Sequence, residues 1–184
     1  FITFEGVEGS GKSTQIALLQ AWLAEQGHDV LVTREPGGTP VAEAVRGVLL
    51  DPAHAGMSGA AELLLYAAAR ADHVHRVIRP ALEAGRVVLC DRYVDSTLAY
   101  QGHARGLGLE AIRQLHALGT GSLWPGLTFV LDLPAAAGLE RARTRGRRDR
   151  IEREALAFHE RVRDGFLQLG KEEPARIKIL GGQQ

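Results

Sequence analysis

The chain has a single cysteine. Cys90 lies in Val87-Val88-Leu89-Cys90, a strand-like apolar run, so a disulfide framework is excluded and the thiol reads as a small buried hydrophobe. Asparagine is missing altogether, which removes the Asn-Lys-x-Asp guanine reader that a GTPase-type switch requires. Charge of one sign is lacking as well. The 22 lysines and arginines balance 22 acids, so nothing pulls the molecule as a whole towards nucleic acid or an anionic membrane. No apolar run reaches transmembrane length and no signal-peptide pattern is present, so we expect a cytoplasmic protein with no membrane partner. Repeats, low-complexity tracts and long linkers are absent. The 184 residues therefore read as one domain, 1–184, with one sizeable core. The chain opens inside its first strand without an initiator Met, which leads us to expect residues ahead of Phe1.

What is present begins at once. Phe1 to Glu5 is a short apolar strand, followed by Gly6-Val7-Glu8-Gly9-Ser10-Gly11-Lys12-Ser13-Thr14 and the opening of a helix. Gly6, Gly11, Lys12 and Ser13 fit the phosphate-binding spacing G-x-x-x-x-G-K-[ST], with the strand before and helix after that the motif needs. Glycines let the backbone curl so that several N–H groups face one anion, and the helix N-terminus adds to the same field. Lys12 can then reach the outer phosphates, and Ser13 is placed for a magnesium ion bridging them. The bland alternative is a glycine-rich turn that binds nothing.

Further along, strands are expected at Val30–Thr33, Val87–Asp91, Leu127–Leu133 and Ile177–Leu180. Helices are expected from the loop to Gln26, over Val41–Leu50, from about Gly59 to Ala84 with Pro80 as a kink or restart, over Asp95–Gln101 and Leu109–Leu118, and from Pro134 into an arginine cluster. A last long helix carries Phe158, Val162, Phe166 and Leu169. Short apolar strands alternating with helices imply an α/β architecture: a five-stranded parallel sheet covered on both faces. Ligands in such sheets collect at the carboxyl ends of the strands, where Gly6, Arg34, Asp91 and Asp132 fall.

Three further constellations carry chemistry. Asp91, at the tip of an apolar strand, suits a metal contact, and Arg92 beside it offers a planar fork for a phosphate; a surface ion pair is the alternative. Arg141, Arg143, Arg145, Arg147, Arg148, Arg150 and Arg153 form a run around Gly146. A solvated helix face and a nucleic-acid patch compete there with a lid over a triphosphate. Neutral overall charge and the lack of interleaved aromatics argue against nucleic acid, and a glycine hinge after a strand favours the lid, approximately 141–153. Tyr66 and Arg70, one helical turn apart, can together hold a flat heterocycle, or form a plain cation–π contact.

Taken together, the phosphate loop preceded by Phe4-Glu5, the run Thr33-Arg34-Glu35-Pro36-Gly37-Gly38-Thr39, the Tyr66 to Arg70 spacing, the block from Asp91 to Gly102 and Asp149-Arg150-Ile151-Glu152 resemble thymidylate kinases, in order and over nearly the whole chain. The resemblance implies a three-layer P-loop kinase fold and transfer of the γ-phosphoryl group of ATP to dTMP, with Mg2+ at Ser13 and Asp91. It implies that Gly6 to Thr14 hold ATP and that Arg92 clamps the acceptor phosphate. Glu8 would stand near the sugar 3′-hydroxyl, with Tyr66 stacked on thymine, Arg70 donating to its carbonyl, Thr97 at the base edge and Tyr100 against C2′. Ser96, Gln101, Arg46 and Pro36 would border the same pocket. Val7, Glu8, Gly9 and Ser10 include no basic residue, so the resemblance is to members whose lid supplies the catalytic arginine, with Arg145 and Arg150 as candidates. It also implies a homodimer.

Overall fold

The computed structural model describes residues 1–144 and 149–181. Its centre is one parallel sheet of β1 (Ile2–Glu5), β2 (Val30–Arg34), β3 (Val87–Asp91), β4 (Leu127–Asp132) and β5 (Ile177–Gly181), in the order β2-β3-β1-β4-β5. The helices are α1 (Lys12–Glu25), α2 (Pro40–Leu50), α3 (Gly59–His73), α4 (Arg79–Glu83), α5 (Val94–Thr97), α6 (Leu109–Thr120), α7 (Ala135–Arg143) and α8 (Leu156–Glu172). The expected five-stranded parallel sheet is the one observed.

Alternation along the strands divides the core. Phe4 and Leu89 face α1, where they bury Ile16 and Leu23. On the opposite face Val130 packs with Phe158, Val162, Phe166 and Leu169 of α8, and Val88 packs with Val74, Ile78 and Val94. Because the side-chain period of a strand is two, Thr3, Glu5 and Thr128 point into this second face, and all three are fully buried. Polar partners compensate them: the Thr3 and Thr128 hydroxyls are 2.8 Å apart, and Asp95 meets both Thr128 (3.1 Å) and the Arg176 fork (2.7 and 2.8 Å).

Local signals set the helix starts. Thr39 caps α2 by accepting the Ala42 N–H at 3.1 Å with Pro40 behind it, and Ser58 caps α3 through Ala61 at 3.2 Å. The expected helix over 59–84 differs in its middle. It winds as α3, then a π-helical stretch Val74–Ile78, then α4. Pro80 has no N–H to offer Arg76 and its ring crowds that carbonyl, so the turn before it widens. The expected Asp95–Gln101 helix is likewise α5 followed by a π-helical stretch, Leu98–Ala104, which carries Tyr100 and Gln101.

Asp95 is fully buried, so its bidentate partner Arg176 is the charge that makes its burial tolerable. Arg176→Met is expected to lower the urea-unfolding free energy by about 3–5 kcal/mol. Adding Asp95→Asn should restore most of that loss, since the orphaned charge is then gone; additive losses would contradict the pairing.

Candidate active site

The turn after β1 is shaped by glycines, two of which have no room for a side chain. Gly6 has φ +131°, and a Cβ there would stand 2.5 Å from the Leu131 carbonyl oxygen; Gly9, at φ +69°, would strike the carbonyl of Gly138 in α7. Gly11, at φ +96°, starts α1. Lys12 folds across the curl, donating to Val7 O (3.1 Å), Gly6 O (3.3 Å) and Ser10 Oγ (3.5 Å). Burial brings its pKa down to about 8; the Arg92 charge adds to this, and Asp91, Glu8 and Glu5 oppose it. Glu8, Gly9, Ser10, Gly11, Lys12, Ser13 and Thr14 line a cavity of about 630 Å³ at the carboxyl ends of the strands. Gly6 and Val7 lie beneath it, with Val7 in the core.

Opposite the loop stands Arg92, held in a left-handed conformation, φ 69°, that a non-glycine residue adopts only under constraint. Its N–H donates to Phe4 O at 2.9 Å. Its fork donates to Glu8 Oε1 and to Ser96 Oγ, both at 3.1 Å, and lies 5.2 Å from the centre of the Tyr100 ring. Tyr100 donates its hydroxyl to the same Glu8 oxygen at 2.6 Å. Burial pushes the Glu8 carboxyl up, but His159 at 3.3 Å, Arg92 and Tyr100 outweigh it, and the group is held well below the usual carboxylate range.

Beneath Arg92 lies Glu5, fully buried. One oxygen accepts the N–H groups of Tyr93 (2.7 Å) and Ser96 (3.3 Å), and the other accepts the Ser96 hydroxyl at 2.5 Å. Burial and then the Asp95 charge push its pKa up to about 8, against Arg92, Ser96 and Tyr93. Asp91 also faces the cavity, and its Oδ1 is buried without a hydrogen-bond partner.

The far half of the cavity is lined by Pro36, Arg46, Tyr66, Arg70, Thr97 and Gln101. Arg46 donates to Pro36 O at 2.8 Å, and Gln101 is fixed to Glu62 at 2.7 Å. Arg70 is 4% exposed and paired with Glu35 at 2.7 Å. Burial lowers its pKa, but that carboxylate more than offsets the effect and holds the guanidinium above its ordinary value.

The arginine cluster divides. Arg141 lines the cavity, whereas Arg145 lies outside the described residues. Arg150, expected to act in the cleft, is 4% exposed and committed elsewhere: it donates to Leu49 O at 2.6 Å and meets Glu62 at 2.6 Å. Its own backbone N–H binds Leu50 O at 2.9 Å. Asp149 and Glu152 cap one another reciprocally at 2.9 and 3.2 Å, and Ile151 enters the core. The Asp149-Arg150-Ile151-Glu152 motif is thus a root that fastens the end of the arginine segment to α2 and α3.

A phosphate loop thus faces an arginine–carboxylate junction and an aromatic pocket across one cavity. The sequence model of one family, Thymidylate kinase, matches residues 4–184. The chain is 57% identical to the thymidylate kinase of Symbiobacterium thermophilum, covering 98% of this chain and 84% of that one. It is 57% identical to that of Deinococcus radiodurans, with 98% and 87% covered. A crystal structure of thymidylate kinase from Ehrlichia chaffeensis superimposes with a TM-score of 0.80 at 37% identity, covering 98% of this chain and 91% of that one. The chain belongs to the thymidylate kinase family. It is therefore a phosphotransferase of the nucleoside monophosphate kinase type with the P-loop kinase fold.

Several participants in the site were not apparent from residue spacing alone. Glu5 was legible only as part of a resemblance, although an acid ending an apolar strand just ahead of a phosphate loop is itself a signal. Glu35 follows the last residue of β2 directly. Glu62 and His159 gave no signal, since their partners lie 39 or more positions away in sequence.

The raised Glu5 pKa has a definite sign. Its contribution to stability is complete below the unfolded value of about 4.5 and is lost as pH rises towards about 8. Glu5→Gln, a neutral isostere, should flatten the decline of unfolding free energy across that window in urea titrations at stepped pH. An unchanged slope would mean that Glu5 is ionised in the folded protein throughout.

Proposed function

We infer that the cavity transfers the γ-phosphoryl group of ATP to dTMP, giving dTDP and ADP. The observation that carries this reading is the Arg92–Glu8 junction at 3.1 Å. It stands between a loop built for a polyphosphate and a pocket built for a flat base. The loop amides and Lys12 grip the donor. Arg92, already aimed by Ser96 and Glu8, takes the acceptor phosphate, and Glu8 serves the sugar 3′-hydroxyl beside it. Tyr66 offers its ring to thymine, while Arg70 and Thr97 offer donors to the base edge. Tyr100, pinned by its hydroxyl to Glu8, presents its ring to C2′ and leaves no space for a ribose hydroxyl. Ser96 and Gln101 complete the wall.

Phosphoryl transfer asks little covalent chemistry of a protein; positioning and electrostatic stabilisation account for the rate. Residues 141–153 read as the lid, with Arg145 the arginine that meets the charge of the transition state. Arg150, as the root, keeps the segment in place. The orphaned Asp91 Oδ1 and the neighbouring Ser13, both facing the cavity, suit Mg2+, which takes few protein ligands when phosphates supply the rest. No cluster of three or more His, Cys, Asp or Glu suited to a metal occurs among the described residues. When bound, the ion would neutralise phosphate charge.

We read the chain as one kinase domain, 1–184, working as a homodimer. The exposed apolar side chains of α2 (Val41, Val48), α3 (Leu64) and α6 (Leu118) support that assembly. A cytoplasmic location accords with the lack, among the described residues, of a helix long and apolar enough to cross a membrane. No nucleic-acid partner is proposed.

The deciding experiment is an ADP-release assay with ATP, Mg2+ and a panel of monophosphates. dTMP should be preferred, and preference for a purine or for UMP would end the reading. Lys12→Ala should abolish turnover with the fold intact. Tyr100→Ala should erode the preference for dTMP over its ribo counterpart, and an unchanged ratio would refute the steric role. Arg145→Ala should lower kcat by on the order of 10³ with little change in acceptor affinity. Arg150→Ala should instead lower Tm by several degrees, through loss of about 1.5–3 kcal/mol of charged hydrogen bonding.

A further inference from the structure

Behind the base pocket, Thr33 and Glu35 join a continuous, largely buried chain of hydrogen bonds. Arg70 donates through Nε to Glu35 Oε2 at 2.7 Å and through Nη2 to Thr97 Oγ1 at 2.8 Å. Its guanidinium carbon lies 5.1 Å from the centre of the Tyr93 ring. The second Glu35 oxygen, Oε1, faces His73 Nδ1 at 3.1 Å, and His73 Nε2 meets the Thr33 hydroxyl at 2.7 Å. A carboxylate only accepts, so Nδ1 carries a proton towards Glu35, while the Thr33 hydroxyl can serve Nε2 as donor or acceptor. Glu35 and His73 are 6% and 0% exposed. Gly38 is part of the same construction: at φ +87°, a Cβ there would lie 2.5 Å from His73 Nε2.

Two consequences follow from the chemistry. Arginine presents its donors in a rigid planar fork. With Nε and one Nη2 hydrogen committed, the orientation of the remaining donors is fixed by Glu35 and Thr97. The Glu35 charge also cancels that of Arg70 within the pocket. An unpaired guanidinium in a cleft that handles phosphates would attract any anion; a neutralised one acts as an aligned set of N–H donors suited to an uncharged base. Thymine and cytosine differ at ring position 4, where one accepts through a carbonyl and the other donates through an amine. A fixed, donor-only group aimed at that position accepts the first and rejects the second, because the rejected pairing leaves buried donors unsatisfied.

We propose that Glu35, braced by His73, is the positioning residue that sets acceptor-base specificity, by locking the Arg70 fork and cancelling its charge. The proposal rests on the reading of Arg70 as a base contact.

The test measures kcat and KM for dTMP and for 5-methyl-dCMP, whose base differs from thymine at position 4 and in the N3 proton. The variants are Glu35→Gln, His73→Ala, His73→Asn and Arg70→Ala, with Tm recorded for each. His73→Ala is expected to reduce the ratio of kcat/KM for the two acceptors by about tenfold, with the loss for dTMP falling on KM more than on kcat. His73→Asn, whose amide N–H can replace Nδ1, should recover much of the ratio, and Glu35→Gln should lower it further than His73→Ala. A purely structural role would lower Tm and reduce both acceptors in proportion, leaving the ratio intact, and would overturn the proposal. Should Glu35→Gln fail to fold, the two His73 variants decide the matter by the same ratio. If Arg70→Ala collapses the ratio while the Glu35 and His73 variants do not, the base reading stands and the positioning role falls. If Arg70→Ala also leaves the ratio unchanged, the base reading itself fails, and the proposal with it.

Discussion

A buried carboxylate at the end of the central strand ties the two halves of the site together. Glu5 belongs to the strand that launches the phosphate loop, yet its oxygens grip the backbone and hydroxyl that follow β3. That grip, with the Arg92 N–H on Phe4 O, offsets the strained backbone of Arg92. The clamp residue is therefore referenced to the same strand as the loop opposite it. Errors in the outer helices need not propagate to the distance between donor and acceptor.

Guanidinium groups in and around the cavity are largely met by carboxylates before any substrate arrives, Arg46 with its Pro36 carbonyl partner being an exception. Arg92 faces Glu8, Arg70 faces Glu35, and Arg150 and Arg105 share Glu62. Removing a charge from water is costly unless it is paired. A pocket that must hold several arginines close together therefore carries their counter-ions with it. Such pairs also fix side chains that would otherwise sweep through many rotamers, so less ordering is left to the moment of binding.

The sequence made the sheet, the loop and most of the cavity wall legible because these depend on local spacing. Gly6 to Ser13 declare a curl, and Val87 to Asp91 declares a strand with an acid at its tip. The π-helical stretches that carry Val74 to Ile78 and Leu98 to Ala104 were not legible as such, because a single widened turn is too short for its period to be told from that of an α-helix. The partners of Arg150 were hidden for a different reason. Its neighbours in sequence suggested a lid, while its partners, Leu49 and Glu62, are supplied by elements about a hundred positions earlier. Glu62 itself sits in the first turn of α3, where an acid is commonplace.

Gly138 is a small feature of α7 with a large mechanical meaning. A Cβ there would run into the carbonyl of Glu8 and press on Val7, so this helix and the curl meet backbone to backbone. The contact serves as a pivot point, fixing how near the helix axis stands to the loop. Arg141 lies three residues beyond that pivot, on the cavity side, and its bearing is set by the pitch of the helix. One residue inserted between them would swing it by about 100°. The molecule thus gauges the reach of its cationic segment from the glycine crossing outward, as a compass leg is set from its point.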